Sequence, residues 1–276
     1  MPMTVASNVT SMMAAGRLAG TNRSLQSTLA HISSGKRLYS AADDAAGIGV
    51  ATNLKTEGIS LRQAMRNTND AISILQTADS AASEISNLVM RSHELFTASA
   101  SETLDQDERD YLVDEYVHIR DEIDRITSNL EFGGVLLNNT SLDAQVGTFS
   151  GADYQIELVI GNMNNSGLNM PGEIRLQDQV LARETLSGAV KSLDLATDNL
   201  NEIRSVIGAT MNRLESSLSH NQTYSLALDQ ARSTIEDADM AAETSQLSKL
   251  QIMQQAGVAS LAQAKNMNQS VMGLLS

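Results

Sequence analysis

Three apolar registers run through the chain at helical heptad spacing. Leu61, Leu75, Ala82, Val89 and Phe96 share one, with Thr68 as its polar member. Leu112, Tyr116, Ile119, Ile123, Ile126 and Leu130 step by four and three, and Leu186, Leu193, Leu200, Ile207 and Leu214 recur every seven. In a helix this spacing places the side chains on one seam and drives helices to pack side by side. The only prolines are Pro2 and Pro171, so no helix between residues 3 and 170 meets a forced stop. Aromatics make up 3% of the chain and Trp is absent, which leaves Leu, Ile, Val, Ala and Met to fill the core. The expected fold is mainly α, a long helical bundle or coiled-coil rod.

Both ends continue the pattern with almost no charge. Arg17 and Arg23 are the only charged side chains between Met1 and Ala30, where Leu18, Leu25 and Ile32 recur every seven residues with Leu29 beside them. From residue 251 to the last residue only Lys265 is charged, while Met253, Val258, Leu261, Val271 and Leu275 extend the ladder begun at Leu250. Chain ends usually fray and carry polar residues. Two apolar ends predict terminal helices that pair, are too poorly covered to stay ordered alone, and become ordered when other surfaces close around them.

Two interruptions organise the rest. Ser33, Ser34 and Gly35 are turn formers, and Asp43 and Asp44 suit the positive end of a following helix, so residues 33–44 read as a linker. Residues 131–175 read as the non-helical region. There Tyr154, Ile156 and Leu158 alternate with Gln155 and Glu157, and "QVGTF" precedes them across Ser150-Gly151-Ala152-Asp153, which predicts a hairpin at about 144–160. The Asn- and Gly-rich stretch 161–173 reads as an exposed loop that accepts a small polar insertion after Asn165.

Most function classes find no support. Acidic residues number 33 against 19 basic ones, a net charge of -14, which repels nucleic acid. There is no cysteine and no run of 18 apolar residues, so no disulfide frame and no membrane span is expected. The first residues lack a basic segment followed by an apolar one, so no cleaved secretory signal is expected. Gly47-Ile48-Gly49 lacks the third glycine of a nucleotide loop, and His93-Glu94 lacks the second histidine of a zinc-protease motif. His31, His93, His118 and His220 are scattered and read as solvated. The acidic run Asp105, Asp107, Glu108, Asp110 reads as a helix start rather than a calcium loop. No catalytic, cofactor or metal residues are assigned.

"SSGKRLYSAADDAAGIGVATNLK" and "RNTNDAISILQTADSAASEISNLVMRSHEL" resemble the N-terminal part of bacterial flagellin. "IGATMNRLESSL" and "ARSTIEDADMAAETSQLSKLQIMQQAGVASLAQAKNMNQSVMGLLS" resemble its C-terminal part, and "FGGVLLNN" followed by "AQVG" resembles the stretch leading into the family's hairpin. The resemblance spans nearly all the chain except about residues 161–185. It implies a structural, non-enzymatic subunit that polymerises into the flagellar filament for motility. Residues 1–40 with 237–276 would form the innermost layer and 41–236 the surrounding helical rod, with the outer variable domains absent and the filament thin and smooth. Leu18, Leu25, Leu29, Ile32, Leu250, Met253, Val258, Leu261, Val271 and Leu275 are then the expected polymerisation residues.

The resemblance further implies export through the flagellar channel without a cleaved signal, an export chaperone on the C-terminal helices, and filament cap and junction proteins as partners alongside the chain itself and other flagellins. It also implies a host Toll-like receptor contact surface at Arg91, Glu94, Leu95 and Glu115. His93 and Ile119 stand where recognised relatives carry arginine, which predicts weakened recognition because forked, charge-assisted contacts are lost. Two other readings are a hook-filament junction protein, whose ends are similar, and a secreted helical adhesin or effector that never polymerises.

Overall fold

The structure is a computed structural model that describes residues 8–101, 103–149, 151–172 and 179–275, with side chains of 179–184 and 267–275 excepted. The described elements are α1 (Val9–Ser34), α2 (Ala45–Ser99), α3 (Gln106–Ser128), β1 (Glu131–Phe132), β2 (Val135–Leu136), β3 (Thr140–Gln145), β4 (Gln155–Ile160), α4 (Gln179–Glu236) and α5 (Met240–Leu275). The chain divides into two compact units, Met1–Gly58 with Leu226–Ser276, and Ile59–Ser225. The fold is mainly α with small antiparallel strand pairs, as the periodicity predicts.

In the unit Ile59–Ser225, α2, α3 and α4 build one core. The α2 register is buried from Leu61 through Phe96, and Leu186, Leu193, Leu200, Ile207 and Leu214 of α4 are all at most 4% exposed. Thr68 sits in the α2 seam at no cost in unmet polarity, because its hydroxyl donates to the Ala64 carbonyl at 2.8 Å. Tyr116, Ile119, Ile123 and Leu130 supply the third seam, with Leu112 and Ile126 partly buried against it. The Tyr116 ring meets Phe96 edge-on at 4.6 Å between centroids, and its hydroxyl donates to the Pro171 carbonyl at 2.7 Å. Burial pushes the Tyr116 phenol pKa upward, so it remains a neutral donor. The start of α3 is a capping box: Asp105 accepts from the Glu108 amide and Glu108 from the Asp105 amide, so the acidic run is a helix start.

The hairpin departs from its predicted position. Thr140–Gln145 pairs with Gln155–Ile160, from Thr140 opposite Ile160 to Gln145 opposite Gln155, so the first strand begins well before "QVGTF". Six regular pairs run from the loop end to Gln145, and Val146 and Gly147 then lie in the tip. The β1–β2 pair is a further tight hairpin that the sequence reading left as irregular chain. Its turn is Gly133-Gly134, both in left-handed backbone with φ of 59° and 84°.

Residues 161–172 also correct the expectation of an exposed loop. Met163 and Leu168 are fully buried, and Met170 and Asn165 nearly so. Asparagine side chains satisfy the loop's backbone: Asn138, from the segment between β2 and β3, accepts from the Met163 amide, and within the loop Asn162 accepts from that of Asn164 and Asn164 from that of Gly167. Asn165 donates to the Arg120 carbonyl at 2.8 Å and its amide donates to Asp124 at 3.2 Å. An insertion after Asn165 would break these bonds, so the expected tolerance there is withdrawn. Residues 173–178, at the end of the predicted loop, lie outside the described residues.

Candidate functional site: the terminal helix pair and the Arg91 cluster

In the other unit, α1 and α5 run antiparallel. Lys36 bridges Asp237 at one end, His31 Nδ1 lies 3.3 Å from Glu243 Oε1, Gln254 donates to Asn22 at 2.9 Å, and Asn8 donates to the Ala264 carbonyl at 3.1 Å. Each step toward the N-terminus on α1 is matched by a step toward the C-terminus on α5. The linker makes this reversal possible. Gly35 ends α1 in left-handed backbone at φ 70°, the Arg37 amide donates to the Glu236 carbonyl, and that of Ala238 to the Gly35 carbonyl. Asp44 accepts from the Ala46 amide at the start of α2, while Asp43 accepts from the amides of Tyr39 and Ser40 inside the turn. His31 is not the solvated histidine of the sequence reading: pairing brings Glu243 beside it and its side chain is 17% exposed. His118 and His220 are exposed as expected, and His93 lies 3.4 Å from Asp194 at a partly open position.

The expected polymerisation residues separate into two sets. Leu250 is buried, and Leu18, Leu25, Ile32 and Leu261 are half-buried within the unit. Leu29, Met253 and Val258 remain 45%, 40% and 53% exposed. The side chains of Val271 and Leu275 lie outside the described residues. Val9, Met12, Met13 and Ile252 are also exposed on the pair. A groove of about 480 Å³ opens between the two helices, lined by Met13, Leu18, Thr21, Met253, Gly257 and Ser260. Gly257 lets the helices close there: a Cβ at that position would lie 3.2 Å from Leu18. The cross-pair contacts of Asn8, Asn22, His31 and Gln254 had no signal in the sequence, because a polar residue on a helix says nothing of its partner more than 200 positions away.

The second candidate surface is a charge cluster. Arg91 Nη1 donates to Glu94 at 3.0 Å, and its Nε and Nη2 both donate to Glu115 Oε1, at 3.1 and 2.8 Å, which ties α2 to α3. These hydrogen bonds, that to Glu115 foremost, hold the guanidinium pKa above its ordinary value. Leu95 is 3% exposed, so the surface consists of Arg91, Glu94 and Glu115, with Leu95 supporting them from the core. Ile119, the other position singled out, is likewise buried in the seam. No group of three metal-ligating side chains occurs among the described residues, and no helix there is long and apolar enough to cross a membrane.

Comparison with known proteins gives this architecture its family. The family described as the bacterial flagellin N-terminal helical region matches residues 5–142, and the bacterial flagellin C-terminal helical region matches residues 190–275. The chain is 32% identical over 253 residues to a flagellin of Halalkalibacterium halodurans, covering 91% of each. It is 32% identical over 288 residues to the flagellar filament 33 kDa core protein of Treponema phagedenis, covering 99% of this chain and 100% of that one. A solved structure of a putative flagellar hook-associated protein from Vibrio parahaemolyticus shares the fold at 14% identity with a TM-score of 0.58, over 71% of this chain and all of that one. Two terminal family regions in the right order, and a full-length match to a chain of the same size class, leave one conclusion: the chain belongs to the bacterial flagellin family, a short form of it, and is a structural subunit of the flagellar filament.

Proposed function

We propose that the α1–α5 pair is the element through which copies of this chain polymerise. The observation that carries the reading is the exposure of Leu29, Met253 and Val258, together with Met12 at 71% and Ile252 at 66%, on helices nearly free of charge. A soluble surface of this kind is covered in use. Neighbouring copies of the same pair, packed around a common axis, cover it on several sides at once. In the assembled filament residues 1–40 with 237–276 form the innermost layer and residues 41–236 the layer around it, with no outer domain and a thin, smooth outline.

The same reading places the chain on the export route of its family. It leaves the cell without a cleaved signal, an export chaperone covers the C-terminal helices before assembly, and filament cap and junction proteins are its further partners. The subunit has a structural role and no catalytic one. The exposed Arg91, Glu94 and Glu115 form the surface met by a host Toll-like receptor, with recognition weakened by His93 and Ile119.

Val258→Asp tests the assembly reading, because Val258 is open in the single subunit and closed in the proposed filament. The variant keeps its monomer fold by circular dichroism and forms no filaments by electron microscopy, since a charge would be buried without a partner. Filaments of normal yield from Val258→Asp would overturn the assignment of this face, and absence of filaments from the parent chain would favour the non-polymerising secreted protein.

A further inference from the structure

Methionine is unevenly placed along the chain. Eight of the thirteen, Met1, Met3, Met12, Met13, Met240, Met253, Met267 and Met272, fall in residues 1–34 and 240–276, much the smaller part of the sequence. No Phe, Tyr or Trp occurs in either segment. Among the described methionine side chains only Met163 and Met170 are buried, and both belong to the bundle. Methionine in the terminal helices is therefore a surface residue. Its unbranched, polarisable thioether adapts to a contact that must repack. The same sulfur is open to oxidation.

Two of these thioethers share one site. Met13 on α1 and Met253 on α5 are 57% and 40% exposed, and both line the groove of about 480 Å³ between the helices, with Leu18 and Gly257. Met12 is more exposed, at 71%, and lies outside that lining. Of the polar groups in the lining, the Thr21 hydroxyl donates to the Arg17 carbonyl at 3.1 Å and the Thr10 hydroxyl to Asn8 Oδ1 at 2.8 Å. Both hydroxyl protons are thus engaged within α1 or at its cap. Arg17 and Ser260 are the donors that remain, and water fills the rest of an open groove.

The chain has no cysteine, so thioethers are its only sulfur nucleophiles. Hydrogen peroxide oxidises an exposed thioether in one two-electron step. The sulfur lone pair attacks one peroxide oxygen, the O–O bond breaks, the sulfur becomes a sulfoxide, and the other oxygen leaves as water. A reductase of the methionine sulfoxide class reverses the change: two thiols supply the two electrons, become a disulfide, and the oxygen leaves as water.

We infer that Met13 and Met253 form a reversible oxidation site, with a peroxide as the reactant, that decides whether a free subunit can enter the filament. This inference rests on the filament reading above. In the monomer, water in the groove solvates the sulfoxides and the helix pair keeps its fold. A second copy closing over the groove strips that water from two strongly polar S=O groups. The added oxygens also enlarge side chains that a packed contact has to fit. Burial in the filament shields the same sulfurs, so the site acts on subunits before assembly and not after it.

The test uses the full chain, treated briefly with hydrogen peroxide so that each molecule carries few sulfoxides, and then polymerised on filament seeds. Peptide mass spectrometry compares the sulfoxide at each methionine in sedimented filaments and in the supernatant. Met90, on α2 and 53% exposed, is the reference. Sulfoxide at Met13 and Met253 is depleted from the filaments at least about ten-fold relative to sulfoxide at Met90, as expected for a polar group buried without full pairing. A methionine sulfoxide reductase with dithiothreitol returns the excluded chains to filaments. Met13→Leu combined with Met253→Leu keeps the apolar volume and removes the sulfur, so this chain polymerises as well after peroxide as before it. The inference is overturned if sulfoxides at Met13 and Met253 distribute as that at Met90 does, if reduction restores no assembly, or if peroxide costs the doubly substituted chain as much polymerisation as the parent. The distribution measurement needs no variant, so it decides the matter even where the doubly substituted chain fails to assemble. A parent chain that forms no filaments, or filaments in which Met13 and Met253 oxidise as fast as in the monomer, would refute the filament reading instead.

Discussion

The terminal pair and the helical bundle have similar apolar ladders, and the structure treats them differently. In the bundle the rungs of α2 and α4 are closed off: Leu193 and Leu75 are fully buried and Leu200 is 2% exposed. Among the described side chains of α1 and α5 only Thr28 and Leu250 are buried, at 6% and 3% exposed, and rungs such as Val258 stay open. The cause is the number of covering surfaces. In the bundle α2 bonds to both α3 and α4, all three helices share one core, and the hairpin and the loop 161–172 add further cover. Within the pair each helix meets one partner, and one partner covers one face. The lesson is that heptad spacing marks a seam and leaves open whether the same chain supplies what closes it.

Substitutions that act on one region and spare the other give the largest effects. Leu261→Asp, within the pair, is expected to abolish filament formation while the bundle's thermal unfolding stays nearly unchanged; sedimentation of assembled material and calorimetry read the two together. Leu75→Ala reverses the pattern, removing about 2–5 kcal/mol from the bundle by opening a cavity in a site with no exposure. Val258→Ala, at the equivalent of an open rung, should shift monomer stability by no more than about 0.5 kcal/mol. Equal losses from these two alanine substitutions would mean that the pair is as closed as the bundle.

Smaller changes sharpen the same contrast inside the bundle. Two glycines inserted after Asn165 leave Asn165 and its partners without their hydrogen bonds and should cost about 1–3 kcal/mol in urea unfolding. Asp105→Ala removes the α3 cap and should cost about 1 kcal/mol. The smallest effect is on pH dependence. Hydrogen bonds from Arg125, with its charge, hold the exposed Glu122 carboxyl below its ordinary range. A lowered folded pKa adds stability that is present above the unfolded value and is lost as pH falls through the folded one. Arg125→Gln should therefore lower the melting temperature slightly at neutral pH, leave it unchanged in strong acid, and so make the fall between the two shallower.

The seams were legible because a packed helix must place an apolar side chain at each contact, and Leu61 through Leu214 carry that requirement openly. Thr68 did not spoil the pattern, since a hydroxyl can bond its own helix. The β1–β2 turn was missed although Gly133-Gly134 announced it. The first hairpin strand is misplaced because Thr140–Gln145 sets Thr140, Leu142 and Ala144 against Ser141, Asp143 and Gln145, with Leu142 its one large apolar residue and little hydrophobic contrast, so "QVGTF" is the stronger signal. The loop 161–172 misled for a deeper reason. Asn-rich composition signals unmet backbone polarity, and water or the side chains themselves can meet it; here Asn138, Asn162 and Asn164 do so, and Met163 and Leu168 go inside. His31, Asn22 and Gln254 gain their roles from partners distant in sequence, which no local pattern encodes.

Amide hydrogen exchange, measured residue by residue in the monomer and in the assembled filament, tests the central claim most directly. In the monomer, residues 9–34 and 247–266 should exchange orders of magnitude faster than residues 193–214 of the bundle, because opening the pair exposes little further apolar surface. In the filament both regions should be protected alike. Protection of residues 247–266 in the monomer equal to that of the bundle, or no gain in protection on assembly, would contradict the account.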